Sequence, residues 1–372
     1  MGALFQGLAG KRVVVCVGSG GVGKTTLAAA IALRRAREGG RALVCTIDPA
    51  RRLANALGLE TLGNVESRVP DRKLAAAGIE LRGGLHAMML DVKRSWDDLV
   101  ARHAPDRARQ ERIFQNRLYQ QLSSALAGSQ EYMAMEKLYE LATERDYDLV
   151  VLDTPPTVHA LDFLEAPDRI LDFLGNDTAR VILLPAASAG KMGFRLFQLG
   201  GSYVARTLAR FTGAEALRDL GEFLGTFQGM YDGFKTRAAA VRELLGRADV
   251  GFVIVASPSP VSVDEALYFH EQLRAKAMPI AGVVANRVTT DLWPADGPLP
   301  SAEALAAARP GGASDLPARL ARTLADHQVF ARADRREVER LFAVTTGAKA
   351  ALPRLETDVH DLAGLATLAA RL

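Results

Sequence analysis

A glycine-rich segment near the start of the chain has the residue types and spacing of a phosphate-binding loop. Residues 18–25 read Gly-Ser-Gly-Gly-Val-Gly-Lys-Thr. Glycines let backbone N–H groups converge on phosphate oxygens, and the dipole of a following helix adds attraction. In such a loop Lys24 reaches the β- and γ-phosphates and the hydroxyl of Thr25 binds Mg²⁺. The pattern therefore predicts nucleotide binding by Gly18, Ser19, Gly20, Gly21, Val22, Gly23, Lys24, Thr25 and Thr26.

The flanks of the glycine-rich segment fit the same chemistry. An apolar, β-branched run at 12–17 precedes it, and an Ala/Leu-rich stretch at 25–37 follows it. A strand before the loop and a helix after it favour a phosphate-binding loop over a simple glycine turn.

Two aspartates each follow an apolar run, at 42–47 for Asp48 and 149–152 for Asp153. A buried carboxylate without a partner is unfavourable, and a metal-bound nucleotide would supply the partner. Asp153 fits a position near Mg²⁺, and Asp48 fits a residue that holds the attacking water. The alternative role for either residue is a helix N-cap, because prolines follow both. The sequence thus gives Lys24 and Asp48 as catalytic candidates and Thr25, Asp48 and Asp153 as metal ligands.

The apolar runs alternate with helical stretches and predict an α/β fold of the P-loop NTPase type. Strands are expected at 12–17, 42–47, 86–92, 148–152, 180–185, 250–256 and 280–285. Alternation of this kind gives a mostly parallel sheet with helices on both faces, whose ligands lie at the carboxyl ends of the strands. The Pro-, Ala- and Gly-rich segment 294–318 predicts a loop, with helix resuming at about Leu320.

Residues 188–247 interrupt the alternation with a helical pattern. We therefore predict a discontinuous ATPase domain at 1–187 and 248–372 and an inserted helical subdomain at 188–247. The insertion is rich in aromatic residues, which form either its own core or a groove for an apolar client. The candidate client-binding residues are Phe223, Phe227, Met230, Tyr231 and Phe234.

The net charge, the number of cysteines and the length of the apolar runs limit which partners and which kinds of site the protein can have. The 46 basic and 43 acidic residues leave a net charge of +3, so we expect no DNA-binding surface. The two cysteines are too few for a disulfide or zinc-ribbon framework. The sequence has neither an apolar run of about 20 residues nor a secretory signal pattern, so we expect a cytoplasmic protein. Peripheral contact with a membrane stays open.

Three motifs together resemble those of the ArsA ATPases and the related tail-anchored-protein targeting factors. They are Gly-Gly-Val-Gly-Lys-Thr-Thr at 20–26, Thr-Ile-Asp-Pro-Ala at 46–50 and Asp-Thr-Pro-Pro-Thr-Val-His at 153–159. The second and third are similar to the nucleotide-sensing segments called switch I and switch II in that family. The resemblance implies a homodimer, or a heterodimer with a paralogue, that closes on ATP and Mg²⁺. It also implies an adenine site at Asn286, Arg287, Pro353 and Leu355.

The chain departs from the family pattern at several positions. Ser19 stands where the family has a lysine that reaches the nucleotide of the partner subunit. Without that lysine, ATP hydrolysis is either slow or assisted by another cation. Arg51 and Arg52 are the candidates for that cation. Cys16 and Cys45 fall in predicted buried strands, which argues against the family's metalloid and zinc sites. Val158 replaces a glycine of switch II. Two histidines complete the set: His159 is either a nucleotide sensor or a surface residue, and His360 is expected to cap or solvate the last helix.

Three functions fit these features to different degrees. The favoured one is an ATP-hydrolysing switch that couples nucleotide state to binding of a membrane-protein or envelope partner. The catalytic subunit of an arsenite efflux pump is disfavoured by the cysteine count. A positioning ATPase of the ParA or MinD kind would need a basic stripe or a basic amphipathic C-terminal helix. Residues 361–372 are mostly uncharged instead.

Overall fold

The fold was described from a computed structural model of the chain. It describes residues 3–155 and 231–372, except for 49, 105, 118, 121–122, 124–128, 295–296 and 309–314, and it also describes residue 165. The predicted strand at 180–185, most of the predicted subdomain and positions 156–159 lie outside these residues. The predicted domain boundaries therefore stay a prediction.

Eight strands form one sheet within the described part of the chain. Their order is β3-β4-β2-β5-β1-β6-β7-β8, and every neighbouring pair is parallel except β3 and β4. The strands are β1 Val13–Gly18, β2 Arg41–Thr46, β3 Ser67–Arg68, β4 Gly84–Met89, β5 Leu149–Asp153, β6 Val250–Ala256, β7 Ile280–Val288 and β8 Ala348–Pro353. The predicted mostly parallel α/β sheet is confirmed.

Helices cover the sheet and connect successive strands. They are α1 Ala3–Gly7, α2 Lys24–Arg37, α3 Arg52–Ala56, α4 Asp71–Ala76, α5 Val92–His103, α6 Arg107–Gln115, α7 Ser129–Thr143, α8 Tyr231–Leu245, α9 Pro260–Ala275, α10 Ala302–Ala308, α11 Leu316–Val344 and α12 Leu362–Arg371. None of the helices among the described residues has the length and apolarity needed to cross a membrane.

Alternating side chains of β1 enter two separate cores. Val13, Val15 and Val17 pack on one face of the sheet, whereas Val14 and Cys16 pack on the other. Both sets are buried, which explains the continuous β-branched run in the sequence. Helix α2 lies in the second core and buries an almost continuous Ala/Leu surface against β2 and β5.

Several expectations for individual elements were wrong. The segment predicted to be a loop at 294–318 contains α10 and the first turn of α11, because its alanines favour helix despite the flanking prolines. The expected strand at 86–92 begins and ends earlier, as β4. Strand β8 was missed, since its sequence Ala-Lys-Ala-Ala-Leu-Pro lacks β-branched residues.

Candidate nucleotide site

The glycine-rich loop joins β1 to α2 at the carboxyl end of the sheet. Gly21 and Gly23 have φ values of 76° and 95°, a region that side chains other than glycine rarely adopt. A β-carbon at Gly23 would lie 2.4 Å from the amide nitrogen of Asn286, and one at Gly18 would lie 2.0 Å from the Val255 carbonyl oxygen. These glycines are thus required both by the turn and by the close approach of β6 and β7.

Lys24 is the first residue of α2, and its side chain folds back under the loop. Its ammonium group donates to the carbonyl oxygens of Gly18, at 2.8 Å, and Ser19, at 2.7 Å. Only 7% of the residue is exposed. Burial lowers the pKa of Lys24, and the nearby carboxylate of Asp153 opposes that shift. The ammonium group lies among the backbone groups of the loop, as a phosphate-binding lysine should.

Asp153 ends β5, which lies between β1 and β2. One carboxylate oxygen accepts hydrogen bonds from the hydroxyls of Thr25, at 2.7 Å, and Thr46, at 2.8 Å. The other, Oδ1, is buried and has no hydrogen-bond partner among the described residues. Burial raises the pKa of Asp153 to about 6, against the effect of the two hydroxyls and Lys24. A buried carboxylate oxygen without a partner, beside a threonine hydroxyl, fits a divalent cation.

Asp48 lies two residues beyond the end of β2 and shapes the backbone that follows. Its Oδ1 accepts from the N–H of Ala50, at 2.9 Å, and its own N–H donates to the Thr46 hydroxyl, at 3.2 Å. A guanidinium nitrogen of Arg52 lies 3.9 Å from its other oxygen. Helix α3 begins only at Arg52, and the residue before it, Arg51, makes no side-chain capping bond. Asp48 therefore stabilises a turn rather than capping α3.

A cavity of about 610 Å³ extends from the phosphate loop to the segment after β8. Most of the residues predicted for nucleotide or metal binding meet there, together with others that the sequence did not suggest. Its lining residues are Gly21, Gly23, Lys24, Thr25, Thr26, Asp48, Arg52, Asn55, Thr154, Asn286, Arg287, Pro353, Arg354, Leu355, Thr357, Asp358, Val359, His360 and Leu368.

Some predicted residues lie elsewhere. Arg51 lines a separate cavity of about 130 Å³ on the other side of α3, whereas Arg52 lines the nucleotide cavity. The two arginine side chains therefore face different cavities. The hydroxyl of Ser19 lies 3.3 Å from that of Ser262 in the first turn of α9, not among the lining residues. Asp153 lies behind Thr25 and reaches the cavity through it.

Two reasons explain why some lining residues of this cavity were not predicted from the sequence. Thr154 follows the end of β5 inside a quoted motif, so the strand-end rule could have found it. In the segment after β8, the family resemblance had named Leu355 for the adenine site, but Arg354, Thr357, Asp358 and Val359 were missed because β8, which positions them, was not predicted. Of the two roles expected for His360, capping is wrong: Asp361 caps α12 by accepting from the N–H of Gly364 at 2.8 Å, and His360 is exposed. His360 lines the cavity instead, and its Nδ1 lies 2.7 Å from the Asp358 carbonyl oxygen.

The two cysteines lie on opposite faces of the sheet. Cys16 belongs to the core around α2, and Cys45 belongs to the core on the other face. Both are buried, as predicted. Burial raises the pKa of both thiols, that of Cys45 to about 12. One metal ion cannot bridge two thiols separated by a sheet.

Comparison with known proteins places these features in a family. Residues 11–296 match the family model described as anion-transporting ATPase, ArsA. An uncharacterized protein of Streptomyces coelicolor is 29% identical over 301 residues, covering 77% of this chain and 66% of that protein. ATPase ARSA2 of Chlamydomonas reinhardtii is 26% identical, over 73% of this chain and 66% of its own length. ATPase GET3C of Arabidopsis thaliana is 25% identical, over 73% and 65%.

The chain therefore spans just under two thirds of the length of these relatives. The family model covers the phosphate loop, Asp48, Asp153 and Asn286, which are the residues that the fold brings to one end of the sheet. Because it covers well over half of the sequence, the resemblance is confirmed: the chain belongs to the ArsA family of anion-transporting ATPases.

Proposed function

We propose that the protein is an ATP-binding and ATP-hydrolysing molecular switch. The observation that carries this proposal is the buried Oδ1 of Asp153, which has no hydrogen-bond partner in the described part of the chain and lies behind a phosphate loop of complete pattern. A carboxylate held in this state is unfavourable in the protein alone and becomes favourable beside a divalent cation. The large cavity that continues from the loop toward β8 has room for the rest of a nucleotide.

The roles of the loop residues follow from their positions. The backbone N–H groups of residues 20–25 would bind the phosphates, and α2 would add its N-terminal dipole. Lys24 would exchange its carbonyl partners in the loop for phosphate oxygens. Thr25 and Asp153 would hold Mg²⁺, which neutralises charge on the phosphates when it is bound.

Asp48 is the candidate for orienting the attacking water. Its carboxylate lines the cavity and is fixed by the turn at Ala50. Of the two arginines after it, Arg52 has the position to stabilise negative charge on a transferred phosphate, since it lines the same cavity. We assign Arg51 no such role, because it lines the other side of α3.

The base of the nucleotide would lie at the far end of the cavity. Pro353 and Leu355, two of the four residues that the family resemblance implies for adenine, follow β8 and line that part of the cavity. The other two, Asn286 and Arg287, line the cavity where it meets the phosphate loop. The structure adds His360, which is the one aromatic side chain among the lining residues of this cavity.

The wider assembly is also a proposal. We expect a dimer, of identical chains or of paralogues, in the cytoplasm, in which ATP changes the arrangement of a helical subdomain at 188–247. Helix α8 forms the end of that segment, and the backbone of Tyr231 and Phe234 belongs to it. The other client-binding candidates, Phe223, Phe227 and Met230, lie outside the described residues. The client would be an apolar segment of a membrane or envelope protein.

The arsenite-pump alternative gains no support from the site. One relative is named a putative arsenical pump-driving ATPase, from Chlorobaculum tepidum, at 29% identity over 43% of this chain. The buried thiols on opposite faces of the sheet cannot form a shared metalloid site. The same positions argue against a zinc site built from both thiols of one chain.

The test is Mg²⁺-dependent release of phosphate from ATP, with threonine variants as probes. We expect Thr25→Ala to raise the Mg²⁺ concentration for half-maximal activity by about tenfold or more, because it removes a ligand, and Thr25→Ser to stay close to the wild type. Thr367→Ala is the matched control, since its hydroxyl donates to the carbonyl oxygen of Ala363 within α12, at 3.0 Å. If the wild-type protein neither binds ATP nor releases phosphate with Mg²⁺, the proposed function is wrong.

A further inference from the structure

The end of β7 contains a local distortion at Arg287. Asn286 pairs with Leu352 of β8, and the next pair joins Val288 to Pro353, so Arg287 is left out of the ladder. Its φ is 64°, in the left-handed region. Among the described non-glycine residues, only Ala277 shares a positive φ, and it follows the end of α9, where such a conformation commonly ends a helix. Arg287 ends no helix.

The distortion directs two consecutive side chains onto the phosphate loop. The guanidinium Nη1 of Arg287 donates to the carbonyl oxygen of Gly21, at 2.9 Å. The amide of Asn286 donates to the carbonyl oxygen of Val22, at 2.7 Å. Bulges beside active sites commonly redirect a side chain in this way, and a left-handed conformation at a bulky residue persists only where its surroundings maintain it.

These contacts determine which way the loop's N–H groups point. In a trans peptide the C=O and the following N–H point in opposite directions. When Arg287 holds the Gly21 carbonyl on the β7 side, the N–H of Val22 faces away from β7. Asn286 likewise holds the Val22 carbonyl on the β7 side, so the N–H of Gly23 also faces away from β7. Two successive N–H groups of the loop are thereby turned to one side, as an anion-binding loop requires.

We infer that Arg287 is a positioning residue of the phosphate loop: it orients the Gly21–Val22 peptide for polyphosphate binding. This role rests on the proposed function. It differs from the role implied by the family resemblance, in which Arg287 belongs to the adenine site. A positioning residue for the loop changes affinity for di- and triphosphates whatever the base, whereas a residue that reads the base changes the preference between bases.

The experiment measures dissociation constants of MgATP, MgADP and MgGTP by calorimetry. Arg287→Asn removes the guanidinium but keeps a residue that tolerates the left-handed conformation. Arg287→Lys keeps the charge without the planar fork. The control, Arg336→Asn, removes a guanidinium that also donates to a backbone carbonyl, that of Arg332, but within α11. Melting temperatures of the nucleotide-free proteins report folding.

We expect Arg287→Asn to weaken binding of all three nucleotides by about tenfold, the size of effect typical of a lost charge-assisted hydrogen bond. Arg287→Lys should recover part of that loss, and the ratio of MgATP to MgGTP affinity should not change. Unchanged affinity in Arg287→Asn would overturn the inference while leaving the proposed function intact. A shifted ATP-to-GTP ratio would overturn it in favour of base recognition. A wild-type protein that binds no nucleotide overturns the proposed function itself.

Discussion

At the scale of single residues, Asp153 links the stability of the protein to the proposed chemistry. Its carboxyl is fully buried, and its pKa is raised from 3.8 to about 6. Between these values the folded protein binds a proton that the unfolded chain has lost. The wild type must therefore lose stability as the pH rises through this range, by up to about 3 kcal/mol.

The predicted measurement compares the wild type with Asp153→Asn without nucleotide. The free energy of unfolding of the wild type, relative to that of the variant, should fall as the pH rises from 4.5 to 7 and stay level above 7. The amide variant does not titrate, and its oxygen still accepts from Thr25 and Thr46, so it isolates the effect of the charge. Identical pH profiles of the two proteins would mean that Asp153 is not buried as a carboxyl group.

At the scale of elements, α7 connects the nucleotide site to α8. At its start, Gln130 donates to the carbonyl oxygen of Ile47, the residue before Asp48, at 3.4 Å. One to two turns later, Glu136 accepts from the guanidinium of Arg237 on α8 at 2.6 Å. The side chains of this pair are 8% and 15% exposed. Helix α7 thus contacts both switch I and the last helix of the predicted subdomain.

We predict that this ion pair fixes α8 on α7. Arg237→Met should lower the free energy of unfolding by about 3 kcal/mol, because it leaves Glu136 charged and buried without its main partner. Adding Glu136→Gln should restore part of that loss, because it removes the buried carboxylate. Glu144, the other carboxylate that Arg237 contacts, at 3.0 Å, is 43% exposed and stays solvated in the double variant. Urea unfolding of both single variants and the double variant gives the coupling energy.

Arg68→Met is the control for this prediction. It breaks an ion pair with Asp71 whose side chains are 59% and 70% exposed, so it should cost less than about 1 kcal/mol. A coupling energy near zero for Glu136 and Arg237 would show that the pair does not hold the two helices together.

The elements also show what the sequence allows one to predict. Strands β1 and β6 are rich in β-branched residues and were placed within a residue or two, because both of their faces are buried. Strand β8 has no such pattern: pairing with β7 and packing of α1 hold it in place, and both are long-range contacts. The phosphate-loop end of the site follows local spacing and was predicted. After β8, only Leu355 was named, from the family resemblance. The contribution of His360 depends on the unpredicted strand and was not foreseen.

At the scale of the whole molecule, the outer side of the phosphate loop is where the proposed dimer would meet. Gly20 and Gly21 are exposed there. Beside them Val261, at the start of α9 and adjacent to Ser262, is 70% exposed. A single exposed valine is ordinary on a protein surface, but its position next to the loop makes it a direct probe of the proposed contact. In the proposed dimer that polypeptide is a second copy of the chain, seated across the nucleotide.

We predict that Mg²⁺ and ATP convert the protein to a dimer through this surface. In Asp48→Asn, where hydrolysis should be blocked, light scattering after gel filtration should show the mass rise from 39.9 kDa to about twice that value. Adding Val261→Glu should keep the protein monomeric with one ATP per chain, because it places a charge in an apolar contact. Val329→Glu on α11 changes a side chain that is 64% exposed and should not affect the dimer. A protein that stays monomeric when saturated with ATP would exclude the closing dimer. Any conformational change driven by ATP would then have to occur within one chain.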